Sequence, residues 1–144
     1  MYDKQEHRID LATGTARLGA ICYVLWGLIH YNAVYSVLKL ASTIPASMER
    51  GRLQQVAFYL AFFATTAIVV GIVLNWRNDR LGFWLNAIAV STGDIPFILF
   101  VLLPGYIPFG IGVIGPVLWI AALLCTAIGR SSRSQRAARP AHLT

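Results

Sequence analysis

The chain has 144 residues, of which 57% are hydrophobic and only 12% are charged, and its mean hydropathy is +0.62. Soluble domains carry about 25% charged residues, so this composition excludes an ordinary soluble domain and predicts an integral membrane protein. The formal net charge of +6 does not indicate nucleic-acid binding, because the basic residues lie at the ends of apolar segments, where membrane anchoring explains them.

Four apolar segments are each long enough to cross a bilayer, which takes about 20 residues of helix. Together they predict an all-α fold, a four-helix up-down bundle within one transmembrane domain over residues 18–129. The spans are expected at about 18–38, 53–76, 81–103 and 111–128. A chain of this size has no room for a separate soluble catalytic domain.

The flanking segments indicate the orientation. A leader over residues 1–17 mixes acids and bases without a clear apolar face, and the tail over 130–144 is basic, polar and predicted to be disordered. With both termini in the cytoplasm, the inside segments hold nine Lys and Arg residues and the outside segments hold three. The positive-inside rule therefore favours a multi-pass protein of the cell membrane with cytoplasmic N- and C-termini.

The first span, LGAICYVLWGLIHYNAVYSVL, is unusually polar for a helix in lipid. Tyr23, Trp26 and His30 follow helical spacing and share one face, whereas Asn32 points elsewhere. After this span, residues 39–55 are too charged for the hydrocarbon, and the segment around 47–54 is either a plain loop or a short interfacial helix. The link RNDR, residues 77–80, is so short that it predicts an antiparallel hairpin.

The third span, LGFWLNAIAVSTGDIPFILFVLL, has one acid, Asp94, near its middle. A carboxylate at this depth costs at least ~2.5 kcal/mol, so it requires a compensating partner. Pro96 lacks an N–H and is expected to loosen the backbone around Thr92. The STGDIP segment would then concentrate a freed carbonyl, two hydroxyls and a carboxyl within about one and a half turns.

The candidate partner of Asp94 is His30. Each residue lies two positions beyond the centre of its span, so both lie roughly 3 Å on the non-cytoplasmic side of the midplane. First and third helices stand on a diagonal of an up-down bundle, so the two side chains can meet across the core. The hypothesis is a buried acid/base site formed by Asp94 and His30, with Tyr23, Trp26, Asn32, Asn86 and Ser91 as secondary ligand-binding candidates. The alternative is a polar contact that only joins helices.

Several familiar sites are absent from the sequence. Cys22 and Cys125 lie in apolar runs without CxxC spacing, which argues against a zinc site or a thiol redox motif. The sequence also lacks the motifs of nucleotide hydrolysis, zinc proteolysis, serine hydrolysis and covalent haem attachment. A haem held by His30 and a second histidine is disfavoured, because His7 and His142 lie outside the spans. We therefore expect no metal and no cofactor.

The order of short motifs resembles a known group of proteins. The first span contains GLIHY, the second ends in an aromatic residue and a basic hairpin, and the third begins with GFW and ends before PGY. In this it resembles the small four-helix bacterial membrane proteins of the broad DoxX-like group. The resemblance implies a four-helix bundle in the inner membrane, with roles in redox or quinone-linked complexes for some members.

Three functions remain open at this stage. The first is a non-enzymatic binder of a lipid-soluble small molecule, or an accessory subunit of a homo-oligomer or larger membrane complex. The second is an intramembrane isomerase or cyclase that uses Asp94 as general acid on a hydrophobic substrate. The third is an oligomeric transporter that uses Asp94 as its proton site. Membrane lipids are expected partners in each case, and nucleic acid is not.

Overall fold

The computed structural model describes the backbone of residues 3–137 and the side chains of residues 11–131. All regular structure in this part of the chain is helical. The helices are α1, Asp3–Ser42; α2, Met48–Val73; α3, Arg80–Phe97; α4, Phe109–Gly112; and α5, Ile114–Ala137. A 3₁₀ turn, Asn75–Arg77, follows α2, and a π-helical turn, Ile98–Leu102, extends α3.

Four helical segments are long and apolar enough to cross a membrane. They are Leu11–Ser42, Met48–Arg77, Arg80–Leu102 and Phe109–Ser131. The prediction of an all-α fold with four candidate spans is therefore confirmed. By length and composition, these four segments are compatible with a multi-pass membrane protein.

The helices extend beyond the predicted spans. α1 begins at Asp3 and so includes most of the leader, and α5 continues to Ala137, which makes residues 130–137 of the predicted tail helical. The rest of that tail, 138–144, lies outside the described residues. Residues 47–54 are neither a plain loop nor a separate short helix, since they form the start of the long helix α2. α2 begins at Met48, and the Ser47 hydroxyl accepts a hydrogen bond from the Arg50 N–H at 3.4 Å. A Ser in this position satisfies a backbone donor that the first turn leaves free.

α1 packs closely against both α2 and α5. A Cβ atom on Gly27 would lie 2.7 Å from the Ala64 carbonyl oxygen of α2, and one on Gly19 would lie 2.9 Å from the Ala122 carbonyl oxygen of α5. Glycine at these points lets the backbones approach without an intervening side chain. α1 is thus held between two neighbours along its length.

The order of contacts along the chain gives the helix directions. Moving along α1, Ala20 lies beside Gly71 and Gly27 beside Ala64, so α2 runs antiparallel to α1. By the same reasoning α5 is antiparallel to α1, because Ala16 lies beside Gly129 and Gly19 beside Ala122. α3 packs on α2 and α5, which places it diagonally opposite α1 and parallel to it.

The link between α2 and α3 is a tight hairpin, as its length predicts. Asn78 adopts a left-handed conformation with φ of 54°, and its side-chain amide donates to the Gly129 carbonyl oxygen of α5 at 2.9 Å. Asp79 then caps α3, since its Oδ1 accepts from the Leu81 N–H at 2.7 Å. We call this end of the bundle, residues 74–80, the hairpin end.

Large side chains fill the space between α1 and α3. Tyr23 and Trp26 of α1 and Val90 of α3 are fully buried there. The buried residues of α3 recur at every fourth position: Gly82, Asn86, Val90 and Asp94. This spacing forms one stripe along the helix, so the two polar members face the core.

Candidate functional site

Asp94 is fully buried on the core stripe of α3, and its carboxylate reaches across the bundle to α1. Its Oδ2 accepts a hydrogen bond from the indole N–H of Trp26 at 2.9 Å. Its Oδ1 lies 3.7 Å from Nε2 of His30. The three side chains form what we call the Trp26–His30–Asp94 cluster, in which the predicted acid and imidazole are brought together.

The α1 helix positions the two aromatic members of the cluster. Trp26 and His30 are four residues apart and therefore lie on one face. Their rings stack with centroids 3.6 Å apart and planes inclined by 25°, and His30 Nδ1 lies 2.7 Å from the Trp26 carbonyl oxygen. Because a carbonyl oxygen only accepts, Nδ1 must carry a proton, which leaves Nε2 to face Asp94.

This assignment limits how protons are placed between His30 and Asp94. A neutral imidazole protonated at Nδ1 presents a lone pair at Nε2, opposite a carboxylate oxygen that also accepts. Two facing acceptors repel each other. A proton on Nε2 gives an imidazolium beside a carboxylate, and a proton on Oδ1 gives a carboxyl group beside a neutral imidazole. In both cases the two groups attract. The 3.7 Å separation is longer than a hydrogen bond, and Oδ1 has no hydrogen-bond partner among the described residues.

Two glycines lie against the cluster, where their lack of a side chain leaves room for its rings. A Cβ atom on Gly115 of α5 would lie 3.2 Å from His30 Cε1 and 3.8 Å from Asp94 Oδ1. One on Gly93 of α3 would lie 3.6 Å from the six-membered ring of Trp26. α5 thus closes the cluster on a third side, with a backbone rather than a side chain against the imidazole.

Of the three cluster residues, only His30 is partly exposed. The His30 side chain is 15% exposed, whereas that of Asp94 is fully enclosed. A molecule beside the bundle can therefore contact the imidazole, but it reaches the carboxyl only if a side chain of the cluster moves. No group of three His, Cys, Asp or Glu residues that could hold a metal ion occurs among the described residues.

Two of the secondary candidates lie deeper in the same core. Tyr23 packs with Trp26 and Val90, and its hydroxyl lies by Thr126 without meeting a described atom in hydrogen-bond geometry. Asn86 is fully buried and its side-chain amide donates to the Ala67 carbonyl oxygen of α2 at 3.3 Å. Both are placed to fix the packing of the bundle.

The remaining polar candidates make no hydrogen bond to Asp94. The Ser91 hydroxyl accepts from the indole N–H of Trp119 at 3.1 Å, which joins α3 to α5, and the Thr92 hydroxyl donates to the Ile88 carbonyl oxygen at 2.8 Å. Asn32 is exposed on α1. Neither hydroxyl of the STGDIP segment makes a hydrogen bond to the acid.

The helix remains regular through Asp94 and Pro96 and changes only after Phe97. α3 continues to Phe97, and the chain then widens into the π-helical turn, in which the Leu103 N–H donates to the Ile98 carbonyl oxygen at 2.9 Å. Single π-helical turns of this kind frequently occur near functional sites. Asp94 therefore lies at the last regular turns of its helix.

Sequence reasoning missed two features of the cluster. Trp26 was expected to line a ligand site, whereas in the structure it is the hydrogen-bond donor to the acid. The four-residue spacing between Trp26 and His30 was a signal for it, because a donor and an imidazole on one face can serve one carboxylate. Gly115 was not singled out, and only its position beside Pro116 at the start of an apolar run marks it in the sequence.

Fold and cluster together define a class: an all-helical protein with four segments long and apolar enough to span a membrane, in which an acid, an imidazole and an indole meet across the core. Neither a protein-family model, nor a curated protein, nor a solved structure matches this chain.

Proposed function

We propose that this protein binds the hydrogen-bonding head of a lipid-soluble small molecule at the Trp26–His30–Asp94 cluster, as a binding or accessory component of a membrane. We further propose that it spans the membrane four times with both termini in the cytoplasm. The distribution of basic residues supports this orientation, with nine in the inside segments against three outside.

The observation that carries the proposal is the unpaired Asp94 Oδ1 facing His30 Nε2 at 3.7 Å. An oxygen atom about 2.8 Å from each of the two atoms would form hydrogen bonds to both. Because Asp94 is enclosed, a ligand oxygen takes this place only when the partly exposed His30 ring moves aside. Because the pair can hold one proton on either side, it can donate to a carbonyl or accept from a hydroxyl. Such a pair suits a polar head carried by a lipophilic body.

The cost of the acid argues against a purely structural role. A charged residue at the centre of a membrane helix costs about 2.5–3.5 kcal/mol, whereas an interhelical hydrogen bond contributes about 0.6–2 kcal/mol. An amide would join α1 to α3 without that cost, and Asn86 on the same stripe already makes a contact of this kind with α2. The free-energy cost of a charged Asp94 is therefore larger than the gain from the interhelical hydrogen bond that it makes.

The imidazole provides the test. With His7 and His142 changed to Gln, ¹⁵N-labelled His30 gives the only imidazole signals, and the protein is titrated in nanodiscs with dodecanol, 2-dodecanone or dodecane. We expect dodecanol and 2-dodecanone to shift the Nε2 signal saturably, because each has a hydrogen-bonding oxygen, and dodecane to leave it unchanged.

The matched variants are Asp94→Asn and Asn86→Leu. The first keeps an acceptor for the Trp26 indole but removes the exchangeable proton of the pair, so it should abolish the saturable shift. The second changes a buried polar group of the same helix outside the cluster and should preserve it. Equal shifts from dodecanol and dodecane, or an undiminished shift in Asp94→Asn, would contradict the proposal.

The single proton that the pair can hold favours a second candidate, an intramembrane isomerase or cyclase with Asp94 as general acid. Positioned acids of this type contribute about 10²- to 10⁴-fold in rate. Asp94→Asn separates the two functions. A catalyst loses turnover of a hydrophobic substrate while still binding it, whereas a binding protein shows no turnover in either form.

A further inference from the structure

An apolar groove lies on the outside of the bundle, between α1 and α2 at the hairpin end. Its volume is about 390 Å³, within the range of about 300–1,000 Å³ that is typical of ligand pockets. Ala20 and Gly71 line its floor, and Ile21, Leu25 and Ile72 are exposed along it. None of the residues that line it belongs to the Trp26–His30–Asp94 cluster.

The close approach of two backbones creates the groove. A Cβ atom on Gly71 would lie 3.4 Å from the Ala20 carbonyl oxygen, so neither residue puts a bulky side chain into the seam. The longer side chains on both sides stand above this floor. The resulting shape is a shallow channel on a surface that faces lipid if the four helices cross a membrane.

A positive charge stands at the end of the groove. Trp76 lines the groove, and the guanidinium carbon of Arg17 lies 5.3 Å from the centre of its ring. A cation over an aromatic face is held in place while its N–H edges remain available to an acceptor. Arg17 is exposed and lies one helical turn before Ile21, on the same face of α1.

We propose that this groove is a phospholipid site, in which an acyl chain lies along Ile21, Leu25 and Ile72 and the phosphate contacts Arg17. The apolar lining suits a hydrocarbon chain. The guanidinium matches the charge and the planar pair of acceptor oxygens of a phosphate. Trp76 is at the end of its span, where tryptophan commonly marks the level of the lipid head groups.

Native mass spectrometry of the full chain in detergent tests the site, with dioleoylphosphatidylglycerol and dioleoylglycerol as the titrated lipids. The two lipids have the same chains, but only the first has a phosphate. We expect Arg17→Gln to weaken binding of dioleoylphosphatidylglycerol about fivefold and to leave dioleoylglycerol unaffected. Ile21→Trp fills the groove and should weaken the binding of both lipids.

Two matched variants serve as controls. Arg80→Gln removes an exposed positive charge at the same end of the bundle, and Leu28→Trp adds the same bulk at an exposed position of α1 outside the groove. Both should bind the lipids as the unmodified chain does. Thermal unfolding of all four variants checks that each is folded.

The proposal is overturned if Arg80→Gln weakens phosphatidylglycerol as much as Arg17→Gln does, because binding would then reflect surface charge alone. It is equally overturned if Ile21→Trp binds each of the two lipids as strongly as Leu28→Trp does. The groove and the Trp26–His30–Asp94 cluster share no residue. Failure of this site therefore leaves the proposed function untouched.

Discussion

Asn86 and Asp94 occupy the same buried stripe of α3, two turns apart, yet they make different kinds of contact. Both are fully enclosed, and each has one side-chain oxygen without a hydrogen-bond partner. Asn86 donates to a backbone carbonyl of the adjacent helix α2, whereas Asp94 accepts from a side chain of the diagonal helix α1.

The difference separates a structural contact from a candidate site. A backbone carbonyl is available on any neighbouring helix, so an amide such as Asn86 can join helices at many positions. The partners of Asp94 are an indole and an imidazole, which a distant helix has to present at the same depth. Only the second arrangement places two titratable groups face to face, so that one proton can reside on either of them.

The largest expected effect comes from removing the indole that holds the acid. Trp26→Ala leaves a cavity in the core and an unpaired carboxylate, and substitutions of this type cost about 3–5 kcal/mol in the free energy of unfolding. Unfolding in mixed micelles by SDS measures the loss. Trp84→Ala is the control, because Trp84 is 53% exposed and should change stability little. A loss below about 1 kcal/mol would mean that the cluster does not join α1 to α3.

The second prediction exchanges the two polar groups. Asn86→Asp places an acid beside a backbone carbonyl that cannot donate to it, so we expect a loss of about 2.5 kcal/mol or more in the same assay. Asp94→Asn keeps an acceptor for Trp26 and should cost less than about 1.5 kcal/mol. Similar losses in the free energy of unfolding for Asn86→Asp and Asp94→Asn would show that an acid is no better accommodated at position 94 than at position 86.

The third prediction concerns the glycine that faces the imidazole. A Cβ atom on Gly115 would lie 3.2 Å from His30 Cε1, so Gly115→Ala should push the ring away from Asp94 at a cost of about 1 kcal/mol. The imidazole ¹⁵N signals of His30 should shift with it. Gly93→Ala is the matched variant, since its Cβ would make an ordinary contact of 3.6 Å with Trp26. An unchanged His30 signal in Gly115→Ala would show that α5 does not constrain the ring.

The smallest expected effect belongs to Ser91, a neighbour of Asp94 in sequence that faces another helix. Ser91→Ala removes the hydrogen bond from Trp119 and should cost about 0.6 kcal/mol, the average for such bonds in a membrane protein. The His30 signals should stay as they are. A shift in those signals would place Ser91 within the site after all.

Hydropathy was sufficient to predict the four spans, because the length and apolarity of a membrane helix are local properties of the chain. Helix ends were less predictable. Charged residues around Met48 suggested a connection, but α2 begins there, since Ser47 provides a cap and the helix can extend beyond the apolar run. α1 likewise begins at Asp3, well before the predicted span.

For the candidate site too, some features could be predicted from the sequence and others could not. The sequence by itself singled out Asp94, because one acid in an apolar run is costly, and matched its depth to His30, because rise per residue is constant in a helix. Only the tertiary structure decided that Trp26 binds the acid, that Ser91 turns towards Trp119 and that Gly115 closes the cluster. Those contacts depend on how each helix is rotated about its axis, and that rotation is set by close packing among all four helices at once.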